Sequence, residues 1–127
     1  MGADNFVNTR DMEALKKIAG SFDFVLSTVS ADQDWQALVN SLRPNGTLCI
    51  VGVPPSPITL QAFPLISGQK AVSGSNTGSP RDLHEMLDVA ARHGVKAMTE
   101  RFPMAKANEA IAKVKKSKVR YRAVLAN

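Results

Sequence analysis

The sequence predicts an α/β protein, specifically an incomplete Rossmann-like doubly wound parallel sheet with flanking helices. Three observations carry this. Strand-like and helix-like patterns alternate along the 127 residues without internal repeats or low-complexity linkers. Residues 47–53, Thr-Leu-Cys-Ile-Val-Gly-Val, form a continuous apolar run of the kind found in strands buried on both faces. The order strand, helix, strand within one sheet requires a right-handed parallel crossover.

The elements follow in order. A short strand is expected at Asn5 to Asn8 and a helix from Met12 to Ala19. Phe22 to Thr28 is rich in strand formers and follows the break at Gly20 and Ser21. Asp34 to Leu42 places Trp35, Leu38, Val39 and Leu42 at helical spacing, and Arg43-Pro44-Asn45-Gly46 ends that helix in a turn. The strand at Thr47 to Val53 stops at a glycine and two prolines, and Ala71 to Ser75 is a shorter strand. Ser79 followed by Pro80 is an N-cap with proline at the first helical position, and Leu83, Met86, Leu87 and Ala90 make an apolar stripe that stops near Gly94. Lys96 to Phe102 is extended, Ala107 to Lys116 is an amphipathic helix packing Ala110, Ile111 and Val114, and Tyr121 to Leu125 is a closing strand.

Composition narrows the function classes. With 44% hydrophobic and 21% charged residues the chain suits one globular domain able to bury roughly two-thirds of its unfolded surface. The single Cys49 excludes an internal disulfide, and its apolar neighbours make it a small packed thiol in a reducing compartment. No apolar run approaches the roughly 18 residues of a membrane span, and residues 1–11 lack the basic start and apolar centre of a signal peptide, so a cytoplasmic protein without membrane contact is expected. The net charge of +5 is local, because Arg101 to Arg122 holds eight Lys or Arg against the one acid Glu109. Only Tyr121 within that cluster is able to stack a base, and no recognition motif surrounds it, so a solvated basic face is expected and no nucleic-acid partner.

Candidate chemistry is sparse. His84-Glu85-Met86-Leu87-Asp88 begins like a zinc-protease helix but has Asp88 where the second histidine is needed. His93, before Gly94, suits a helix C-terminus without any catalytic role. No Cys or His cluster has metal-ligand spacing, and no serine or cysteine stands in a nucleophile turn. No catalytic residue is therefore assigned. The informative stretch is Asn45 to Pro55 together with Val72 to Ser79. The first is a buried strand whose last backbone groups are left unpaired at the carboxyl edge of a sheet, where α/β proteins bind ligands. Gly74 and Gly78, four apart around Ser75-Asn76-Thr77, fit either close approach to a flat ligand or a plain strand-to-helix turn. No Gly-rich strand-to-helix turn for a pyrophosphate precedes residue 45, so the chain reads as part of a binding domain whose first half lies elsewhere.

Five segments, in order, resemble zinc-type medium-chain alcohol dehydrogenases of the cinnamyl or sinapyl alcohol dehydrogenase branch. They are G-A-D-N-F-V-N-T-R at Gly2 to Arg10, F-D-F-V-L-S-T-V at Phe22 to Val29, G-T-L-C-I-V-G-V-P at Gly46 to Pro54, G-S-N-T-G-S at Gly74 to Ser79, and V-R-Y-R-A-V-L at Val119 to Leu125. The resemblance covers essentially the whole chain and the C-terminal third of such an enzyme. It implies a cofactor-binding portion of an NADP(H)-linked alcohol dehydrogenase or aldehyde reductase, inactive by itself, with the zinc ligands in a catalytic domain that lies outside this sequence.

The resemblance also implies the site. Thr28 and Val29 would stand by the nicotinamide ribose, and Val53, with Val51 and Gly52 before it, would offer backbone to the carboxamide. Ser75 and Thr77, flanking Asn76, would complete the carboxamide clamp, and Arg122 would reach the pyrophosphate. A homodimer or higher homo-oligomer is expected, with the Ala71 to Ser75 strand as the candidate contact, and a small alcohol or aldehyde as the substrate of the whole enzyme. The alternative reading is a stand-alone binding or interaction module that kept the scaffold without the chemistry.

Overall fold

Val39, Leu42 and Leu48 leave almost no surface to solvent, and with Trp35 they make the core of the first of two compact units, which runs to Thr77. The second unit is Gly78–Asn127. The computed structural model describes residues 2–127.

In the first unit the strands β1 (Phe22–Ser27), β2 (Leu42–Ile50) and β3 (Ala71–Gly74) are parallel and lie in the order β1-β2-β3. The helices are α1 (Met12–Lys17), α2 (Trp35–Ser41) and α3 (Ala62–Gly68). Asp11 caps α1 by accepting from the N–H groups of Glu13 and Ala14 at 3.0 and 3.1 Å, and Asp34 caps α2 by accepting from Ala37 at 2.9 Å. The expected face of α2 is the buried one: Trp35 and Val39 pack on Leu42 and Leu48, flanked by Val25, Leu38, Ile50, Ile58, Leu60 and Leu65. The Lys70 ammonium closes the far end of α2 by donating to the Val39 carbonyl at 2.9 Å. Cys49 is a buried free thiol on the central strand, as its neighbours predict.

Three local features depart from the sequence expectation. Residues 5–8 are not a strand, and Phe6 is 91% exposed, because an extended segment needs a partner for its backbone groups and finds none there. The expected turn at Arg43 to Gly46 is an excursion inside β2: Phe22 pairs with Leu42, Phe24 pairs with Thr47, and the residues between bulge out, with Asn45 at φ 62 and Arg43 bonded to Asp23 at 2.9 Å. Helix α3 is unforeseen, since Pro64 reads as a breaker; at the third helical position, where the N–H has no intrahelical partner, proline costs little.

The second unit holds α4 (Pro80–Arg92), β4 (Thr99–Pro103), a 3-10 turn (Met104–Lys106), α5 (Ala107–Lys115) and β5 (Arg122–Ala126). Strands β4 and β5 pair in parallel with each other. Ser79 and Asp82 form a reciprocal capping box at the start of α4, as the Ser-Pro signal predicts, and Gly94 at φ 64 ends it. The apolar stripe of α4 is present but uncovered, with Leu83, Met86 and Leu87 half exposed. Ala110 of α5 is buried, whereas Ile111 and Val114, expected to pack with it, are also half exposed. Lys113 lays its ammonium 5.0 Å from the ring centre of the buried Phe102.

Candidate functional site

Parallel pairing brings the carboxyl ends of β1, β2 and β3 to one edge, and with them every expected site residue of the first unit. Ser27 pairs with Ile50 and Ile50 with Gly74, so Thr28 and Val29, Val51 to Val53, and Ser75 to Thr77 leave the sheet side by side. All but the half-buried Gly52 are exposed. The Ser27 carbonyl accepts from both Val51 N (2.9 Å) and Gly52 N (3.2 Å), which swings the chain after β2 against the loop after β1. Only glycine fits at that crossing. A Cβ on residue 52 would overlap the Val29 carbonyl oxygen and stand 2.6 Å from the Val29 carbonyl carbon and 2.9 Å from that of Thr28. By contrast, a Cβ on Gly74 would meet only the Ile50 oxygen at 3.9 Å, so the protein itself does not require glycine there.

Two further side chains join the loops, and the sequence pattern did not single them out. Val53 N donates to the Ser30 hydroxyl oxygen at 3.4 Å. The Asp32 carboxylate accepts from Ser56 twice, from its N–H at 3.3 Å and its hydroxyl at 2.9 Å. Their only sequence signal is polarity, in a serine and an aspartate just beyond a strand and a serine framed by Pro55 and Pro57.

The Ser75-Asn76-Thr77 segment is tied by its own atoms. Ser75 N donates to the Ile50 carbonyl at 3.1 Å, extending the β2–β3 ladder by one residue. The Asn76 side-chain oxygen accepts from Thr77 N at 2.8 Å. The carbonyl oxygens of Val53 and Ser75 accept no hydrogen bond among the described residues. Two acceptors and a releasable N–H at the end of a parallel sheet are a chemical match for a flat primary amide, which presents two N–H donors and one acceptor.

Arg122 lies in the second unit, exposed on β5, where its backbone pairs with Thr99 of β4 and its side chain makes no hydrogen bond or ion pair among the described residues. The Nδ1 of His84 lies 2.7 Å from the Pro80 carbonyl, within its own helix. Among the described residues no group of three His, Cys, Asp or Glu is placed to hold a metal ion, and no helix is long and apolar enough to cross a membrane. The Asp82 carboxyl is held below its ordinary value, first by the Ser79 side chain and then by the Ser79 N–H.

A parallel sheet with flanking helices, whose crossover loops gather at the carboxyl edge, defines a Rossmann-like α/β protein. A family model described as zinc-binding dehydrogenase matches residues 1–92, and the chain belongs to that family. The aldehyde reductase AdhA of Synechocystis is 39% identical over all 127 residues, which span 38% of its length. The solved structure of the cinnamyl alcohol dehydrogenase SbCAD4 of Sorghum bicolor shares 40% identity with a TM-score of 0.89, covering 98% of this chain and 35% of that one. The CAD of Helicobacter pylori, solved in complex with NADP(H), shares 25% identity with a TM-score of 0.71 over 87% of this chain and 33% of its own. The resemblance to the cinnamyl alcohol dehydrogenase branch read from the five motifs thus holds, and the chain matches the C-terminal part of such proteins, little more than a third of their length.

Proposed function

We propose that this chain forms the nicotinamide half of the cofactor site of a zinc-dependent, NADP(H)-linked alcohol dehydrogenase or aldehyde reductase, as the C-terminal portion of its dinucleotide-binding domain. The observation that carries the reading is the convergence of Thr28–Val29, Val51–Val53 and Ser75–Thr77 at one carboxyl edge, with the Val53 and Ser75 carbonyls free to accept. In this reading the Val53 and Ser75 oxygens receive the carboxamide N–H groups, and Thr77 N, released by Asn76, donates to the carboxamide oxygen. Thr28 and Val29 border the nicotinamide ribose. The bound dihydronicotinamide supplies the hydride that reduces a small aldehyde. What this chain's residues do is fix the ring's orientation by its amide.

Zinc is not held here, because no set of ligands is gathered among the described residues; in this reading the ligands belong to the catalytic domain of the whole enzyme, and the chain alone is inactive. NADP(H) is favoured over NAD(H) by the complexed Helicobacter relative. The exposed edge strand β3 serves as the contact of a homodimer, and the buried thiol of Cys49 suits the reducing cytoplasm.

Titration of the full chain with NADPH and with NADH, followed by the dihydronicotinamide fluorescence, tests the reading. Saturable enhancement that nicotinamide mononucleotide competes away supports it. Enhancement displaced by adenosine phosphates but indifferent to the mononucleotide overturns it.

A further inference from the structure

The loop after β2 is directed by a residue that belongs to neither the expected site nor the core. Beyond Gly52 the chain runs Val53-Pro54-Pro55-Ser56-Pro57, and three prolines in five residues leave it few internal freedoms. Such a segment behaves as a stiff arm whose direction is set where it is fastened. It is pinned at its root by the Ser27 carbonyl and by the tight crossing of Gly52 over Thr28 and Val29. Its outer fastening is Asp32, whose two carboxylate oxygens take up both donors of Ser56, at 3.3 and 2.9 Å across 24 residues of sequence. Between root and outer fastening stands Val53, whose N–H has only the long 3.4 Å contact to Ser30. The Ser30 contact engages the Gly52–Val53 peptide, whereas the Val53 carbonyl belongs to the next one, Val53–Pro54, which has no N–H to fasten it.

We infer that Asp32 is a positioning residue for the cofactor site: by holding Ser56 it sets the plane of the Val53–Pro54 peptide and so the aim of the Val53 carbonyl. The inference rests on the nicotinamide reading for what that carbonyl meets, while the latch itself rests on the loop geometry alone. A carboxylate suits the role because it is acceptor-only and offers separate oxygens to an N–H and an O–H at once. Asparagine keeps one acceptor oxygen and gains a donor that the Ser56 hydroxyl can accept, so it preserves the bridge in weakened form, whereas alanine abolishes it.

The test uses the full chain with Asp32→Ala, Asp32→Asn, Ser56→Ala and the Asp32→Ala/Ser56→Ala pair. Native-state exchange of the Val53 and Ser56 amides is read against the core amide of Leu48, together with nicotinamide mononucleotide affinity. Asp32→Ala is expected to speed exchange at Val53 and Ser56 by about fivefold, the scale of one exposed hydrogen bond, and Ser56→Ala, which removes only the hydroxyl half of the bridge, by less, with Leu48 unchanged. The double variant should do no more than Asp32→Ala alone, which already removes both bonds to Ser56. Asp32→Asn should recover most of the protection, and mononucleotide affinity should fall in the same order, by about threefold for the alanine variants. Unchanged exchange at Val53 in Asp32→Ala, or additive effects in the double variant, overturns the latch. If the variants move exchange as expected while the parent chain binds no mononucleotide, the latch stands and the nicotinamide reading fails. If the parent binds and affinity ignores Asp32 despite faster exchange, the positioning role is overturned.

Discussion

Gly52 and Val29 meet backbone to backbone: a Cβ on residue 52 would overlap the Val29 carbonyl oxygen and lie 2.6 Å from its carbon. The crossing is what lets the loops after two neighbouring parallel strands share one edge. Gly52→Ala should therefore force the loops apart and cost about 1–3 kcal/mol, the usual range for overpacking a well-fitted site. Urea unfolding followed by the fluorescence of Trp35, the only tryptophan and a core residue, measures it. An unchanged midpoint would mean that the contact relaxes without strain.

Leu48 is fully buried on the central strand, packed with Trp35, Val39 and Leu42. Leu48→Ala leaves a cavity under α2 and is expected to destabilise the first unit by about 2–5 kcal/mol. In the same unfolding assay, a loss below about 1 kcal/mol would place the core elsewhere.

The capping box of α4 gives a pH dependence with a definite sign. Asp82 is held below the ordinary aspartate value, so its contribution is complete above about pH 3.9 and disappears as pH falls through the lowered folded value. Amide exchange in the first turn of α4 should be protected near neutrality and lose protection in acid, and Asp82→Asn should flatten that dependence. A profile that Asp82→Asn leaves intact would assign the effect to another carboxyl.

Asn76 ties up the one N–H that the carboxamide reading needs, since its side-chain oxygen accepts from Thr77 N at 2.8 Å. Removing the competitor should help the ligand. Asn76→Ala is expected to tighten nicotinamide mononucleotide binding by about two- to fivefold, the net worth of one neutral hydrogen bond. A tenfold or greater loss would show instead that the Asn76 side chain itself contacts the ligand.

Strand β3 is short, exposed along its whole length and paired on one side only, with β2. If two copies pair there, Val72→Lys should shift the sedimentation of the full chain toward the monomer, because a charge on an edge strand opposes pairing. A monomeric parent across a wide concentration range would remove β3 as an interface.

Much of the first unit was legible because local signals agreed with the tertiary environment. Trp35 and Val39 announced the buried face of α2, and the apolar run through Leu48 and Cys49 marked a strand covered on both faces. Legibility failed where the outcome depended on partners distant in sequence. Residues 5–8 have strand-like composition but no neighbouring strand, and the stripe at Leu83, Met86 and Leu87 has helical periodicity but stays half exposed. The site residues came from the resemblance, and the strand they follow, expected at Thr47 to Val53, ends at Ile50. The Asp32–Ser56 bridge did not, because a hydrogen bond across 24 residues leaves no periodic trace.

The most direct test of the central claim is an amide-resolved NMR titration of the full chain with nicotinamide mononucleotide. The account predicts that the shifts concentrate at Thr28, Val29, Val53, Ser75 and Thr77, with Leu15 and Ala110 unmoved. Shifts gathered elsewhere, or none at saturating ligand, would contradict a nicotinamide site at this edge.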